Sequence, residues 1–138
     1  MSPLDIAAAL YARCKGIQPA VDVAYPNKPF TPRAGQPYVR MSVIYGPPDN
    51  RIYGPFYREK GMFQAVLCYP LDAGEGAALE RAAQVRSAFT RGLTLAAGDG
   101  HVLILDTAMI APALIEGDRY CVPVRAHWCA DVYTGAGS

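Results

Sequence analysis

The chain has 138 residues, of which 51% are hydrophobic and 18% charged, a composition that supports one core of ordinary size and excludes extensive disorder. Its formal net charge is +1, from 13 basic and 12 acidic residues without long like-charge runs, so the basic stripe needed to grip nucleic acid is absent. The apolar stretch Ile6 to Leu10 is too short for a signal peptide, and no run approaches the ~20 apolar residues of a membrane span. The expectation is a soluble protein made in a cytoplasm, with no membrane partner.

Ser2, Pro3 and Asp5 predict a helix start, with a capping hydroxyl, proline in the first turn and a carboxylate at the positive end of the dipole. That helix should run to about Lys15 and stop at Gly16, its face formed by Leu4, Ala7, Leu10, Tyr11 and Cys14. Ala20 to Tyr25 is a short β-prone run, and Pro26 to Pro37, with four prolines and a glycine, is connection. Tyr38 to Tyr45 alternates as a strand, with Val39, Met41, Val43 and Tyr45 toward the core.

Gly46 to Lys60 holds three prolines and two glycines, yet carries Arg51, Tyr53, Phe56, Tyr57 and Arg58. Tyrosine and arginine are enriched among the residues that dominate interfaces, and a proline-stiffened loop loses less entropy on docking, so this loop is a candidate interface. The alternative is a hairpin tip with incidental aromatics. Met62 to Tyr69 resumes as a strand.

Pro70 ends it, and Asp72-Ala73-Gly74-Glu75 has capping-box spacing before a helix over Ala77 to Arg91. Ala78, Ala82, Val85 and Phe89 form its buried side with Leu79 beside them, and Gly92 supplies a left-handed stop. Leu93 to Leu95 is a short extended piece and Gly98-Asp99-Gly100 a tight turn. A strand from His101 to Asp106 should continue toward Ala111, and Glu116-Gly117-Asp118 is a turn. From Arg119 to about Val132 the even positions are apolar and the odd ones, including Arg125 and His127, mostly are not, which marks a long strand with one buried face. Pro123 within it predicts an edge position or a bulge.

The order helix, strand, strand, strand, helix, strand, strand predicts an α+β domain over residues 1–133, with a mainly antiparallel sheet of about five strands and both helices on one face. Residues 134–138 are expected to form a disordered tail.

No catalytic or cofactor constellation assembles from these residues. Cys121, His127 and Cys129 share one side of the last strand, but at ~3.3 Å per residue Cys121 and His127 stand roughly 20 Å apart, too far to share a metal. His127 with Cys129, helped by Cys68 or His101 from another strand, is the residual metal arrangement. A Cys/His nucleophilic pair lacks the electropositive, open setting that activates a thiol. Gly74-Glu75-Gly76 lacks a P-loop lysine, and Glu75 would repel phosphate. The four cysteines are expected to be buried free thiols.

FTPRAGQPYVRMSV at Phe30 to Val43, GMFQAVLCYP at Gly61 to Pro70, GEGAAL at Gly74 to Leu79, FTRG at Phe89 to Gly92 and YCVPVRAHW at Tyr120 to Trp128 together resemble the phage tail terminator proteins of lambda-like long-tailed phages. The resemblance runs from about Phe30 to Asp131. It implies a structural subunit without cofactor, metal or catalytic residues, forming a hexameric ring on the head-proximal end of the tail tube, where it stops polymerisation. The implied partners are further copies of itself, the tail tube protein and a head-side connector or head-closure protein, with DNA only in passage. The alternatives are another neck or head-closure protein, or a small enzyme or ligand-binding domain. Arg51, Tyr53, Phe56, Tyr57, Arg58, Arg125 and His127 are the candidate interface residues.

Overall fold

The computed structural model describes residues 1–50 and 56–133. The predicted residues Arg51 and Tyr53, and the tail at 134–138, lie outside the described residues. Among the described residues, two helices and eight strands follow in the order α1 (Pro3–Lys15), β1 (Asp22–Ala24), β2 (Tyr38–Tyr45), β3 (Phe56–Pro70), α2 (Gly76–Ala88), β4 (Thr94–Ala97), β5 (Gly100–Ile104), β6 (Met109–Ile110), β7 (Leu114–Glu116) and β8 (Arg119–Tyr133). They build one sheet in the order β1-β2-β3-β8-β5-β4, with β6 and β7 also paired to β8. The expectation of about five strands is therefore corrected to eight, and the sheet is mixed, since β1 runs parallel to β2 while the other pairings are antiparallel.

The central pairing is β3 with β8, in register from Phe56 opposite Tyr133 to Pro70 opposite Arg119. Alternation along these strands sends Phe63, Ala65 and Leu67, with Val122, Val124, Ala126, Trp128 and Ala130, into one cluster. Both helices supply the same cluster, α1 through Ile6, Leu10 and Cys14 and α2 through Ala78, Ala82 and Val85. They therefore cover one face of the sheet and, among the described residues, leave the other without a helical layer. The alanines let α2 approach closely, and Phe89 at its end stacks on Phe63 with ring centroids 5.0 Å apart.

Ser2 caps α1 as expected, its hydroxyl accepting from the Asp5 amide while the Asp5 carboxylate accepts from the Ser2 amide. The capping box at Asp72 does not form. Asp72 instead takes a left-handed conformation in the turn after β3, and α2 starts at Gly76 behind Glu75, which makes no side-chain cap. Leu79 is 39% exposed, whereas Arg81 is buried in the α2 face. The guanidinium of Arg81 donates to the carbonyls of Pro19 and Ile17, which satisfies backbone acceptors in the connection after α1.

Two strand boundaries and the placement of one proline differ from the sequence reading. β3 starts at Phe56, so the Gly46–Lys60 loop is shorter than expected, its last residues already paired with β8 and Arg58 bridging to Asp49. The single strand expected from His101 toward Ala111 breaks after Ile104, and β6 and β7 return separately to β8. Pro123 is neither at an edge nor in a bulge, because β8 is flanked on both sides. Its carbonyl accepts from the Ala111 amide, so the side of the residue that lacks an N–H faces the interval between β6 and β7, where no ladder donor is required.

Gly61 marks the tightest approach in the sheet. A Cβ there would stand 2.0 Å from the Ile44 carbonyl oxygen and 2.9 Å from Trp128 Cζ2, neither of which can move without breaking β2 from β3 or shifting a fully buried ring. Gly61→Ala is expected to lower unfolding stability by about 2–3 kcal/mol in urea titrations. A loss below 0.5 kcal/mol would show that the strands separate freely at this point.

Candidate assembly surface

The face of the sheet opposite the helices is the candidate surface, and the same alternation that fills the core decides which residues lie on it. On β3 the even positions Phe56, Arg58, Lys60, Met62 and Gln64 point there, and on β8 the odd positions Arg125, His127, Cys129, Asp131 and Tyr133. Four of the predicted interface residues, Phe56, Arg58, Arg125 and His127, thus share this face. Tyr57 has the opposite parity and does not join them.

At the end nearest the tip of β3, the Phe56 and Tyr133 rings meet at 5.3 Å. Beside them Arg58 forms a bidentate pair with Asp131, Nε to Oδ1 at 2.8 Å and Nη2 to Oδ2 at 3.4 Å, with both side chains about half exposed. Exposed pairs of this kind add little stability and mainly fix side-chain direction. A cleft of about 360 Å³ opens next to the pair, lined by Arg58, Asp99, His101, Cys129, Asp131 and Tyr133 among others.

Toward the middle, Ile44, Met62 and His127 lie abreast on β2, β3 and β8. With Leu105 and Asp106 they rim an apolar groove of about 540 Å³ whose floor includes Gly61 and Trp128. Ile44 is 49% exposed there. His127 stands 3.9 Å from Asp106, and Arg125 Nε donates to Gln64 Oε1 at 2.8 Å. Sequence reasoning missed the apolar residues that border this face: Met109, Leu114 and Ile115 on β6 and β7 are all substantially exposed. Their signal was the apolar run from Ala108 to Ile115, interrupted by Pro112, which lacks the alternation of a half-buried strand.

The third part of the face is covered. Phe30 packs on Tyr38 with ring centroids at 5.1 Å, and the buried Arg119 lies over the same ring while donating to the carbonyls of Gln36 and Arg33. This holds residues 30–37 across that end of the sheet. Beneath lie Val66, Cys68 and Cys121. The structure thus brings Cys68 to Cys121 and Glu116, and not to His127 and Cys129, where one form of the residual metal arrangement required it.

None of the buried thiols whose acidity is shifted is poised as a nucleophile. Burial pushes Cys14 up to about 11 against the pull of Arg81, and burial likewise raises Cys129 against the pull of Arg58. Among the described residues no helix is long and apolar enough to cross a membrane.

A family model described as phage tail terminator protein matches residues 5–128. No curated protein matches the chain. One similar solved structure, whose name states no function, shares 26% identity over 98% of this chain and 99% of that chain, with a TM-score of 0.78. A second, from the virion of a native gene transfer agent (GTA) particle, shares 22% identity over 93% of this chain and 94% of that one at a TM-score of 0.57, a likeness of fold alone.

Arg40 bonds both oxygens of Glu116 at 2.9 and 3.2 Å, which holds the Glu116 carboxyl below its ordinary 4.5. Because the folded value is the lower one, this contribution is present above pH 4.5 and is lost as pH falls through the folded value. The stability gap between wild type and Arg40→Gln, read by urea unfolding, is expected to stay under about 1 kcal/mol near neutrality and to close as the solution is acidified. A gap that widens in acid would contradict this pairing.

Proposed function

This chain belongs to the phage tail terminator family, and we propose that it closes into a hexameric ring on the head-proximal end of the tail tube, ending tube growth and presenting a surface to the head-side connector. The observation that carries this reading is the family match across residues 5–128. The bare sheet face agrees with it. A subunit with helices on one side of its sheet and a groove of Ile44, Met62 and Leu105 on the other has a surface suited to being covered by protein.

Ring closure needs a heterologous contact, in which two different surfaces of each copy meet its neighbours. The face bearing Phe56, Arg58, Arg125 and His127, together with the sequence segment that carries Arg51 and Tyr53, is one such surface in this proposal. The second is the margin formed by β6 and β7. These strands pair only with β8 among the described residues, so each has an edge at which a neighbouring copy can add a strand.

The near-zero net charge fits passage of DNA through the ring. A lumen dense in lysine and arginine would bind phosphates through counterion release and retard the genome, and a +1 chain carries no such excess.

Deleting the gene from its phage is expected to give over-long tail tubes and few joined heads, restored by the wild-type gene. Tails of normal length in the deletion would refute termination, and headless tails of normal length would identify another neck function. In complementation, Ile44→Asp is expected to reduce plaque formation at least tenfold while the purified variant keeps its wild-type circular dichroism. Full complementation by Ile44→Asp would remove the groove from the interface.

A further inference from the structure

Cys68 and Cys121 face each other directly across β3 and β8 on the side away from the helices, both fully buried, with their Sγ atoms 2.7 Å apart. Their position in the ladder follows from Pro123. Because the backbone of Pro123 bonds toward β6, the Val66–Pro123 pair is non-hydrogen-bonded with respect to β3, and so is Cys68–Cys121 two residues along. At such pairs the Cα atoms are ~4.5 Å apart and the side chains closest, within the span that a disulfide requires.

Glu116 is also near, its Oε2 4.0 Å from Cys121 Sγ, which raises the competing possibility of a soft metal. Two thiolates on one tetrahedral ion with ~2.3 Å bonds stand roughly 3.7 Å apart, so these sulfurs would have to separate. Arg40 already occupies both Glu116 oxygens and would set its own positive charge beside a cation. The arrangement fits a sulfur–sulfur bond better than an ion.

We propose that Cys68 and Cys121 are an oxidation site, a thiol pair that a two-electron oxidant of the peroxide class converts to a cross-strand disulfide joining β3 to β8. With hydrogen peroxide, one sulfur is oxidised to a sulfenic acid as the O–O bond breaks and one water leaves. The second sulfur then attacks the first, the S–O bond breaks, and the hydroxyl leaves with the remaining thiol proton as a second water. Two thiols and one peroxide give one disulfide and two waters. The groups facing the pair are Tyr38, Arg40 and Glu116, and burial followed by the neighbouring Cys68 pushes Cys121 up to about 12. The reaction is therefore slow near neutrality and accelerates as pH rises. This site stands or falls independently of the tail reading.

The test treats the full reduced chain with hydrogen peroxide, then denatures and alkylates it. The expected product is lighter by two hydrogens before alkylation, takes up two alkyl groups where the reduced chain with its four free cysteines takes four, and yields a Cys68–Cys121 cross-linked peptide. Its thermal midpoint should rise, since the bond spans 53 positions of sequence. Cys121→Ala should take three alkyl groups before peroxide and yield no cross-linked peptide after it, and the wild-type mass measurement stands even if that variant fails to fold. Four alkyl groups after oxidation, a cross-link between other cysteines, or one zinc ion retained by the reduced chain and lost in Cys68→Ser would overturn the proposal.

Discussion

The antiparallel ladder between β3 and β8 is the constraint from which the other features descend. It aligns Phe56–Pro70 with Arg119–Tyr133 without a bulge, and a shift of one residue would exchange the two faces of either strand. Such a slip in β8 would place Trp128 and Val124 in solvent and force Arg125 and His127 under the helices. Burying those two polar side chains without partners would cost several kcal/mol, and exposing a tryptophan would remove a few more. The register is therefore held from both sides, and the identity of the bare face is held with it.

The connections above and below the ladder are tied down by arginines. Arg81 reaches the carbonyls of Ile17 and Pro19, Arg119 those of Arg33 and Gln36, Arg13 that of Ala88 and Arg86 that of Ala108. Each of these carbonyls lies in an irregular segment or at a helix end, where no ladder partner exists. A guanidinium presents several donors in one plane and can satisfy two such acceptors at once. A chain with twelve prolines needs many connections, and arginine closes them without adding to the core.

The parts of the fold legible in the sequence were those with one dominant period. β2 and β8 alternate cleanly, and α1 carries its own cap, so Tyr38–Tyr45, Arg119–Tyr133 and Pro3–Lys15 were readable to within a residue or two. Phe56 to Lys60 was not, because aromatic and charged residues next to prolines read as loop chemistry, while here the ladder partner across from them extends the strand. β6 and β7 were hidden for a related reason: two- and three-residue strands have no period of their own and exist only because β8 offers its second edge. The capping box at Asp72 had the right spacing but lost to the turn that must bring the chain back from β3. As for the candidate site, parity alone grouped Arg125 with His127, but bringing Phe56 and Arg58 beside them required the register between two strands, which one sequence does not state. Nor could it show that Cys68 meets Cys121.

The composition of the bare face sets limits on how it can be used. Ile44, Met62 and Leu105 supply the apolar centre, and Arg58, Lys60, Arg125, His127, Asp106 and Asp131 surround it with both signs of charge. A face more apolar than this would aggregate before meeting its partner, and one more charged would gain too little from being covered. The charged rim contributes mainly to orientation and rate, because exposed pairs such as Arg58–Asp131 keep most of their water. In the proposed ring, affinity comes from repeated apolar contact, since a closed ring multiplies one modest contact by the number of subunits. A subunit built this way can stay dispersed at low concentration and still lock firmly once its neighbours are held in place.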